Sequence, residues 1–470
     1  MCRRAVGLWT ILVLGLSVVP RGALAESSSS SSLEIKKKSD RSWGELEGDA
    51  GFGFFGPDLY TTLQLGFDFQ EGAFTLGVEA RLRLRVEDRG ERDGLGVRRE
   101  DWDEPSDLAY LLRYASYRRQ VSGVTLGFSL GELAGYSLGD GSLVRDYASA
   151  LDPDHPHGGF MARVAGKRFQ ADLVLDDFVA PEFIALRVGG VPLSTGPHAL
   201  VVGASGLLDF RAPWQVRLDA DGAPVIDEHR NLELRRSVVG AAGIDVAYRV
   251  GDPAQDHLRV YVDGNVLLPE RGVADPGLGL HVGAAFQAHP FQSRLALTGG
   301  VEYRRLGPGY LPSWVDLLYD VQRQQFPLTA RARRALSGEA TTKLGALARD
   351  LAPAGNAWRG DLGLRYEPWL EVAAHYEHRP GLAGKSLGAR MTVVVGRHFL
   401  ASGLVERFGF LTGSDLGRSA GLLVSAEARY RPLRNLYVLA QYSHLVRLGS
   451  DGWFRPLDQL NVAVGGAWGY

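Results

Sequence analysis

The chain has 470 residues, with 52 Lys and Arg against 54 Asp and Glu, and it is rich in glycine (60) while holding only 3 Met and 1 Cys. That near-neutral balance offers no basic patch for nucleic acid. The sole cysteine, Cys2, lies at the extreme N-terminus, so the body of the chain has neither disulfides nor thiolate chemistry.

Met1–Ala25 has the layout of a secretory signal peptide. Arg3 and Arg4 supply the positive start, Leu8–Val19 the apolar core and Ala23-Leu24-Ala25 the small-residue cleavage site. The run is short for a spanning helix, which needs ~20 apolar residues. Cleavage removes Arg3, Arg4 and Arg21 and so moves the formal charge of −2 by three further negative units. Residues 26–43 are a separate material. Ser27–Ser32 followed by Lys36-Lys37-Lys38 has nothing to bury and is expected to be a disordered leader. No later apolar run is long enough for a membrane helix, which excludes a helical membrane protein.

From Gly44 to Tyr470 the pattern is alternation broken by turn residues, with no shift in composition that marks a domain boundary. Leu63, Leu65, Phe67 and Phe69 share one side of a strand. Leu82, Leu84 and Val86 oppose Glu79, Arg81, Arg83, Arg85 and Glu87. Leu173 and Leu175 oppose Asp172 and Asp176; Leu258, Val260 and Val262 oppose Arg259 and Asp263; Leu362, Leu364 and Tyr366 oppose Asp361 and Arg365.

Link lengths also alternate. Tight turns fall near Gln70–Gly72, Arg119–Ser122, Gly166–Phe169, His289–Phe291, Glu367–Trp369, Arg397–Phe399 and Arg431–Arg434. Longer links occupy Asp88–Asp107, Leu133–His157, Arg211–Arg230, Leu306–Gly355, Phe410–Ser419 and Leu448–Leu457. Short turns at one end and long loops at the other fit a closed barrel of about 16–20 strands, with an even number expected. Phe169, Phe291, Trp369, Phe399, Tyr437, Trp468 and Tyr470 are expected at an interfacial girdle near the short turns. The longest link places Trp314, Leu317, Leu318 and Val321, and then Leu336, Ala340, Leu344, Leu347 and Leu351, at helical spacing. It is expected to form a helical hairpin packed on the barrel wall or inner rim.

The last stretch, Asp458–Tyr470, puts Leu460, Val462, Val464, Gly466, Trp468 and Tyr470 on one face and small or polar residues on the other. It resembles the closing strand of Gram-negative outer-membrane β-barrel proteins, which looks like Gly-x-x-aromatic-x-aromatic. Gly465, Trp468 and Tyr470 fill those places; Ala463 departs from the polar residue usual two positions before the glycine. The resemblance covers about Trp43–Tyr470 and rests on architecture plus this motif. It implies an all-β, transmembrane, antiparallel up-and-down barrel over 44–470 with both termini periplasmic. It also implies contact with outer-membrane lipid and recognition of Gly465, Trp468 and Tyr470 by the barrel-assembly machinery. Leu138–Tyr147 and Asp176–Pro181 look like segments of uncharacterised outer-membrane proteins, which implies no function.

No Gly-x-Ser-x-Gly elbow, His-Glu-x-x-His or phosphate-cradling Gly-x-x-x-x-Gly-Lys-Ser/Thr occurs, so an enzyme is not expected and neither is a cofactor. Ser443 and His444 point to opposite faces of a strand. Glu371, His375 and Glu377 share a face, read chiefly as lumen lining. Asp152, Asp154, His155 and His157 are weak candidates for a divalent cation, because carboxylate and imidazole suit one, although a mobile loop explains them as well. The residues expected to line the lumen are Arg81, Arg83, Arg85, Arg113, Asp172, Asp176, Arg187, Glu233, Arg235, Arg259, Asp263, Asp361, Arg365, Glu371, Glu427 and Arg429. Their mixed signs suit a porin-like passive channel for small hydrophilic solutes, and equally cross-strand ion pairs filling a closed barrel that anchors an envelope or surface assembly. An outer-membrane hydrolase is the third and most remote reading.

Overall fold

The computed structural model describes residues 42–469 apart from 91–93, 110, 253–254, 291–293, 328–340, 352, 382–383 and 420. The signal and nearly all of the leader, together with Phe291, Leu336, Ala340 and Tyr470, therefore lie outside the described residues.

The chain forms one closed antiparallel β-barrel of 20 strands. The first seven are β1 (Trp43–Phe55), β2 (Asp58–Glu71), β3 (Phe74–Glu87), β4 (Leu112–Val121), β5 (Val124–Gly131), β6 (Gly159–Ala165) and β7 (Phe169–Leu175). The next seven are β8 (Phe183–Thr195), β9 (His198–Val216), β10 (Leu234–Gly251), β11 (His257–Pro269), β12 (Gly277–Ala288), β13 (Leu295–Leu306) and β14 (Gly355–Tyr366). The ring is completed by β15 (Leu370–His378), β16 (Lys385–Val395), β17 (Phe399–Phe410), β18 (Leu422–Leu433), β19 (Leu436–Leu448) and β20 (Phe454–Gly469). Every strand pairs with its sequence neighbour, and β20 closes on β1 in register from Glu45↔Gly469 to Phe55↔Gln459. Closure leaves no unpaired edge.

The burial pattern is inverted relative to a soluble protein. On β20, Leu460, Val462, Val464 and Trp468 are exposed, Val464 by 54%, while Ala463 and Ala467 are buried. On β11, Leu258, Val260 and Val262 are exposed and Asp263 and Asn265 are buried. Glu47, Asp49, Asp68, Arg187, Asp245, Glu427 and Arg429 are likewise buried. Apolar side chains facing out and charged ones facing in is the arrangement that lipid demands. Exposed aromatics flank this apolar band. Phe169, Tyr366, Trp369, Tyr430 and Trp468 sit toward the short-turn end, and Phe52, Phe54, Tyr303 and Trp358 toward the other. Tyr437 departs from its expected place in the girdle: it is 1% exposed and faces the interior.

The two ends differ as the link lengths suggest. The tight turns expected from sequence lie at one end, with the start of β1 and the end of β20; the long loops lie at the other. Of the expected helical hairpin, residues 328–340 lie outside the described residues, and the described part is mostly non-helical. Among the described residues of 307–354, helix is confined to Tyr319–Gln322 and Lys343–Ala348, and Trp314 lies in non-helical chain. The apolar spacing was real but served inward packing: Trp314, Leu318, Val321, Leu344 and Leu347 are all buried.

Candidate functional site in the barrel interior

Two long loops, 132–158 and the described residues of 307–354, fold into the barrel and meet there. Val144 and Val315 form a parallel bridge, flanked by Arg145 N donating to Val315 O (2.9 Å) and Ser313 N to Ser142 O (2.8 Å). Around the bridge, Leu143, Tyr147, Tyr310, Trp314 and Tyr319 join wall residues such as Phe183, Val239 and Leu267 in one apolar core. The second loop also reaches across the lumen. Trp314 Nε1 donates to Asp209 of β9 (3.1 Å), and Gln325 Oε1 accepts from the backbone of Phe454 on β20 (2.9 Å), about half way round the ring. Leu318 and Val321 pack with Phe408, Leu423, Val446 and Phe454.

Charged pins hold the first loop to the wall. Asp140 takes a bidentate contact from Arg259, Arg145 donates to Glu302 (2.8 Å), and Arg359 donates to Asp146 (3.1 Å). All three pins come from the Leu138–Tyr147 segment. Glu302 also accepts from Arg304, from Tyr261 Oη (2.7 Å) and bonds His281 Nδ1 (3.0 Å), so its charge is met from several sides.

The interior repeats a three-strand device. Tyr437 of β19 lies over Gly465 of β20, and its hydroxyl donates to Asp49 of β1 (3.0 Å). Tyr114 lies over Gly77 and donates to Asp68 (2.6 Å); Tyr261 lies over Gly283 and donates to Glu302. In each case the three residues are register partners on consecutive strands. A side chain on any of these glycines would sit within 2.4 Å of the tyrosine ring.

Most of the sixteen expected lining residues face this interior with a partner. Arg83 pairs with Asp101 (2.9 Å), Arg85 with Asp58 (3.4 Å), Arg113 with Asp68, Asp172 with Arg163, and Arg187 with Asp245 (2.7 Å). Arg429 pairs with Glu47 (3.0 Å), Glu427 accepts from Gln441 (3.0 Å), Asp263 accepts from Asn265 (2.9 Å), Arg365 pairs with Glu367 (3.4 Å), and Asp361 accepts from Arg359 (2.8 Å). Arg81 bonds Gln64 (3.1 Å) and Glu79 (3.0 Å), and Glu371 is half-buried on β15. Three differ from expectation. Glu233 lies in the loop before β10, pairing there with Arg217; Arg235 is exposed at the loop end of β10; Asp176 lies just past β7, accepting the backbone N–H groups of Glu182 and Phe183 (3.0 Å each). Alternation continued past the true strand ends and so placed Glu233 and Asp176 on walls they do not reach, whereas Arg235 lies within β10 but at its exposed loop end.

Two cavities flank the inserted loops. One, about 990 Å³ including its open mouth, is lined by Arg81, Arg83, Arg113, Glu427 and Arg429, with Glu47, Glu79, Trp102 and Asp107. Burial pushes Asp107, which lies in the loop roof, up to about 6. The second, about 740 Å³ including its mouth, is lined by His375, Glu377, Glu406 and Phe408 of the wall and by Arg145, Asp316, Gln322 and Phe326 of the loops. Glu371 is not among its lining residues.

The structure disperses the four weak cation candidates. Asp154 is claimed by Arg98 and Arg447; Asp152 bonds His155 (3.2 Å); His157 faces Tyr147 Oη (3.0 Å) and Asp320 (3.7 Å). Among the described residues no group of three or more His, Cys, Asp or Glu has the spacing to hold a metal ion. His444 bonds Asp458 (2.8 Å), with Ser443 on the opposite strand face. Sequence reasoning missed Glu302, Arg145, Arg359 and Glu406. Glu302 and Arg359 sit in alternating segments that were legible, but their loop partners lie more than a hundred residues away.

No family model matches the chain, and neither does any curated protein. Solved structures similar to it include OmpT, an outer membrane protein of Vibrio cholerae (11% identity, 91% of this chain and 98% of that one, TM-score 0.31). They also include the siderophore receptor PirA of Acinetobacter baumannii (9% identity, 92% and 81%, TM-score 0.37) and OccAB2 of the same organism (11% identity, 92% and 98%, TM-score 0.30). At these values the likeness carries no functional argument. The assignment as a transmembrane β-barrel of the outer-membrane kind stands on the chain's own closed ring, lipid-facing apolar band and charged interior.

Proposed function

We propose that this protein is a passive outer-membrane channel for small hydrophilic solutes, narrowed by the inserted loops 132–158 and 307–354. Both termini lie on the periplasmic side in this reading, with the long loops outside, and the closing strand with Gly465, Trp468 and Tyr470 is what the barrel-assembly machinery reads. The observation that carries it is a charged interior that retains two cavities beside the inserted loops. Mixed signs on their walls suit polar solutes of either charge and select weakly between anions and cations.

A closed barrel that anchors an assembly is the second reading, favoured by the apolar core that the loops form within the barrel. Single-channel recording in planar bilayers separates the two. Refolded protein should give small ohmic steps, enlarged when Pro312–Pro353 is deleted. Silence from both proteins, each migrating as a heat-modifiable folded barrel, would sink the channel.

A further inference from the structure

The Tyr–Gly–acid device occurs once more with a different ring. His375 of β15, Gly388 of β16 and Glu406 of β17 are register partners on three consecutive strands. His375 Nε2 bonds Glu406 Oε1 at 3.1 Å above the glycine. A Cβ on Gly388 would lie 2.3 Å from the imidazole and 2.0 Å from Glu406, so the glycine makes room for this pair as the others do for a phenol. The three tyrosine devices contribute no ring or acid to either cavity, whereas His375 and Glu406 both line the smaller one. A structural element has here been placed beside open space.

The remaining surroundings specify a ligand chemistry. Glu406 Oε2 and Gln322 Oε1 are acceptor oxygens without a hydrogen-bond partner, and Glu406 itself is 4% exposed. Buried acceptors left unmatched favour a ligand that brings donors. Arg145, Arg359 and Arg379 on the lining are opposed by Asp146, Asp316, Glu377 and Glu406, so the cavity has little net charge to attract an ion. Leu317, Phe326 and Phe408 add an apolar side. Guanidinium donors, carboxylate acceptors and an aromatic wall together match hydroxyl groups that alternate with C–H faces.

We propose that this cavity is a binding subsite for a neutral polyhydroxyl solute, a sugar of one or two rings, hydrogen-bonded by Glu406 and Gln322. The inference rests on the channel reading for its biological sense but not for its test.

The test titrates glucose and maltose, with lysine and glutamate as charged controls, into refolded full-length protein in detergent micelles, followed by calorimetry. Roughly millimolar sugar binding is expected, weakened about tenfold or more in Glu406→Gln and also reduced in Gln322→Leu, a loop change that leaves the wall intact. Absence of sugar binding to folded protein would overturn the inference. So would binding untouched by either substitution, or binding of the charged controls in place of sugar. Sugar binding in micelles without conductance in bilayers upholds the subsite and removes the channel; conductance without sugar binding does the reverse.

Discussion

Tyr437 and Asp49 meet across the seam that closes the barrel, the phenol passing over Gly465 to donate a 3.0 Å hydrogen bond. Arg429 stacks on the other face of this arrangement, its guanidinium carbon 4.2 Å from the Tyr437 ring centroid, and pairs with Glu47 of β1. Side chains of β18 and β19 thus reach over β20 to β1, tying the seam in addition to the backbone ladder.

Gly465→Val should therefore push the ring off the seam and destabilise the barrel by roughly 1–3 kcal/mol. Tyr437→Phe keeps the packing but removes the donor to buried Asp49, at a cost of about 1–3 kcal/mol. Urea unfolding in lipid vesicles, read by tryptophan fluorescence, measures both. Wild-type midpoints for the two variants would show that the seam does not depend on this contact.

Arg98 and Arg447 converge on Asp154, joining loops 88–111 and 132–158 to β19. Burial opposes the charge on Asp154, yet the two guanidiniums hold its carboxyl well below the usual carboxylate range. A depressed pKa contributes stability above the unfolded value of about 4, lost only as pH falls through the lower folded value. Asp154→Ala leaves Arg98 its contacts with Asp101 and Glu100 but removes the carboxylate that Arg98 shares with Arg447, and should cost about 1–3 kcal/mol near neutral pH. Limited proteolysis between Asp88 and Gly158 reads the loosening, and an unchanged digestion pattern would contradict it.

The contact between His157 and Asp320 joins the two inserted loops and carries the opposite pH sign. Burial pushes Asp320 up to about 7 against the pull of His157. Burial resists the imidazolium of His157, but Asp320, Asp176 and Asp177 outweigh it and raise its pKa. A raised carboxyl costs stability as pH climbs from the unfolded value of about 4 to about 7. A raised imidazole contributes stability below about 6.5 that is lost as pH climbs through its folded value. Tyr147, Asp152 and Arg323 surround the pair and leave both signs unchanged. Raising pH from about 5.5 to about 8 should loosen the loops and enlarge channel conductance, and Asp320→Asn should flatten that profile. A conductance independent of pH in the unmodified protein would refute the assignment.

The outward face of β20 offers a direct check on orientation. Val462 is exposed at the middle of its strand, so Val462→Arg places a cation in lipid and should cost about 2–4 kcal/mol in bilayers. The same substitution in detergent micelles should cost far less. Equal effects in both media would mean that this face does not meet hydrocarbon.

Much of the wall was legible because a strand reports its two faces locally. Leu258, Val260 and Val262 against Arg259 and Asp263 needed only a period of two, and the turns near Gly166–Phe169 and Glu367–Trp369 needed only their own residues. Tyr437 was misread because a ring near a strand end suits the headgroup layer, and nothing in its neighbours discloses that Gly465 leaves space inward. The helical spacing in 312–351 had a comparable ambiguity. Trp314 and Leu318 had to be buried, and a non-helical chain pinned at many points buried them as well as a helix would, while Leu344 is buried from the short helix Lys343–Ala348. Asp152 to His157 read as one cluster in sequence, yet arginines from β19 and from the 88–111 loop divided it.

The sequence by itself determined a chain of alternating strands, short turns at one end and a charged face opposed to an apolar one, since each follows from residues within one strand or turn. Only the tertiary structure decided which face meets solvent-excluded lipid, that the loops enter the lumen, and that Arg259, Glu302 and Arg359 receive Asp140, Arg145 and Asp146. Those contacts join residues more than a hundred positions apart. Local periodicity carries no record of such pairings; they are set when the ring closes and each buried charge must find its partner inside it.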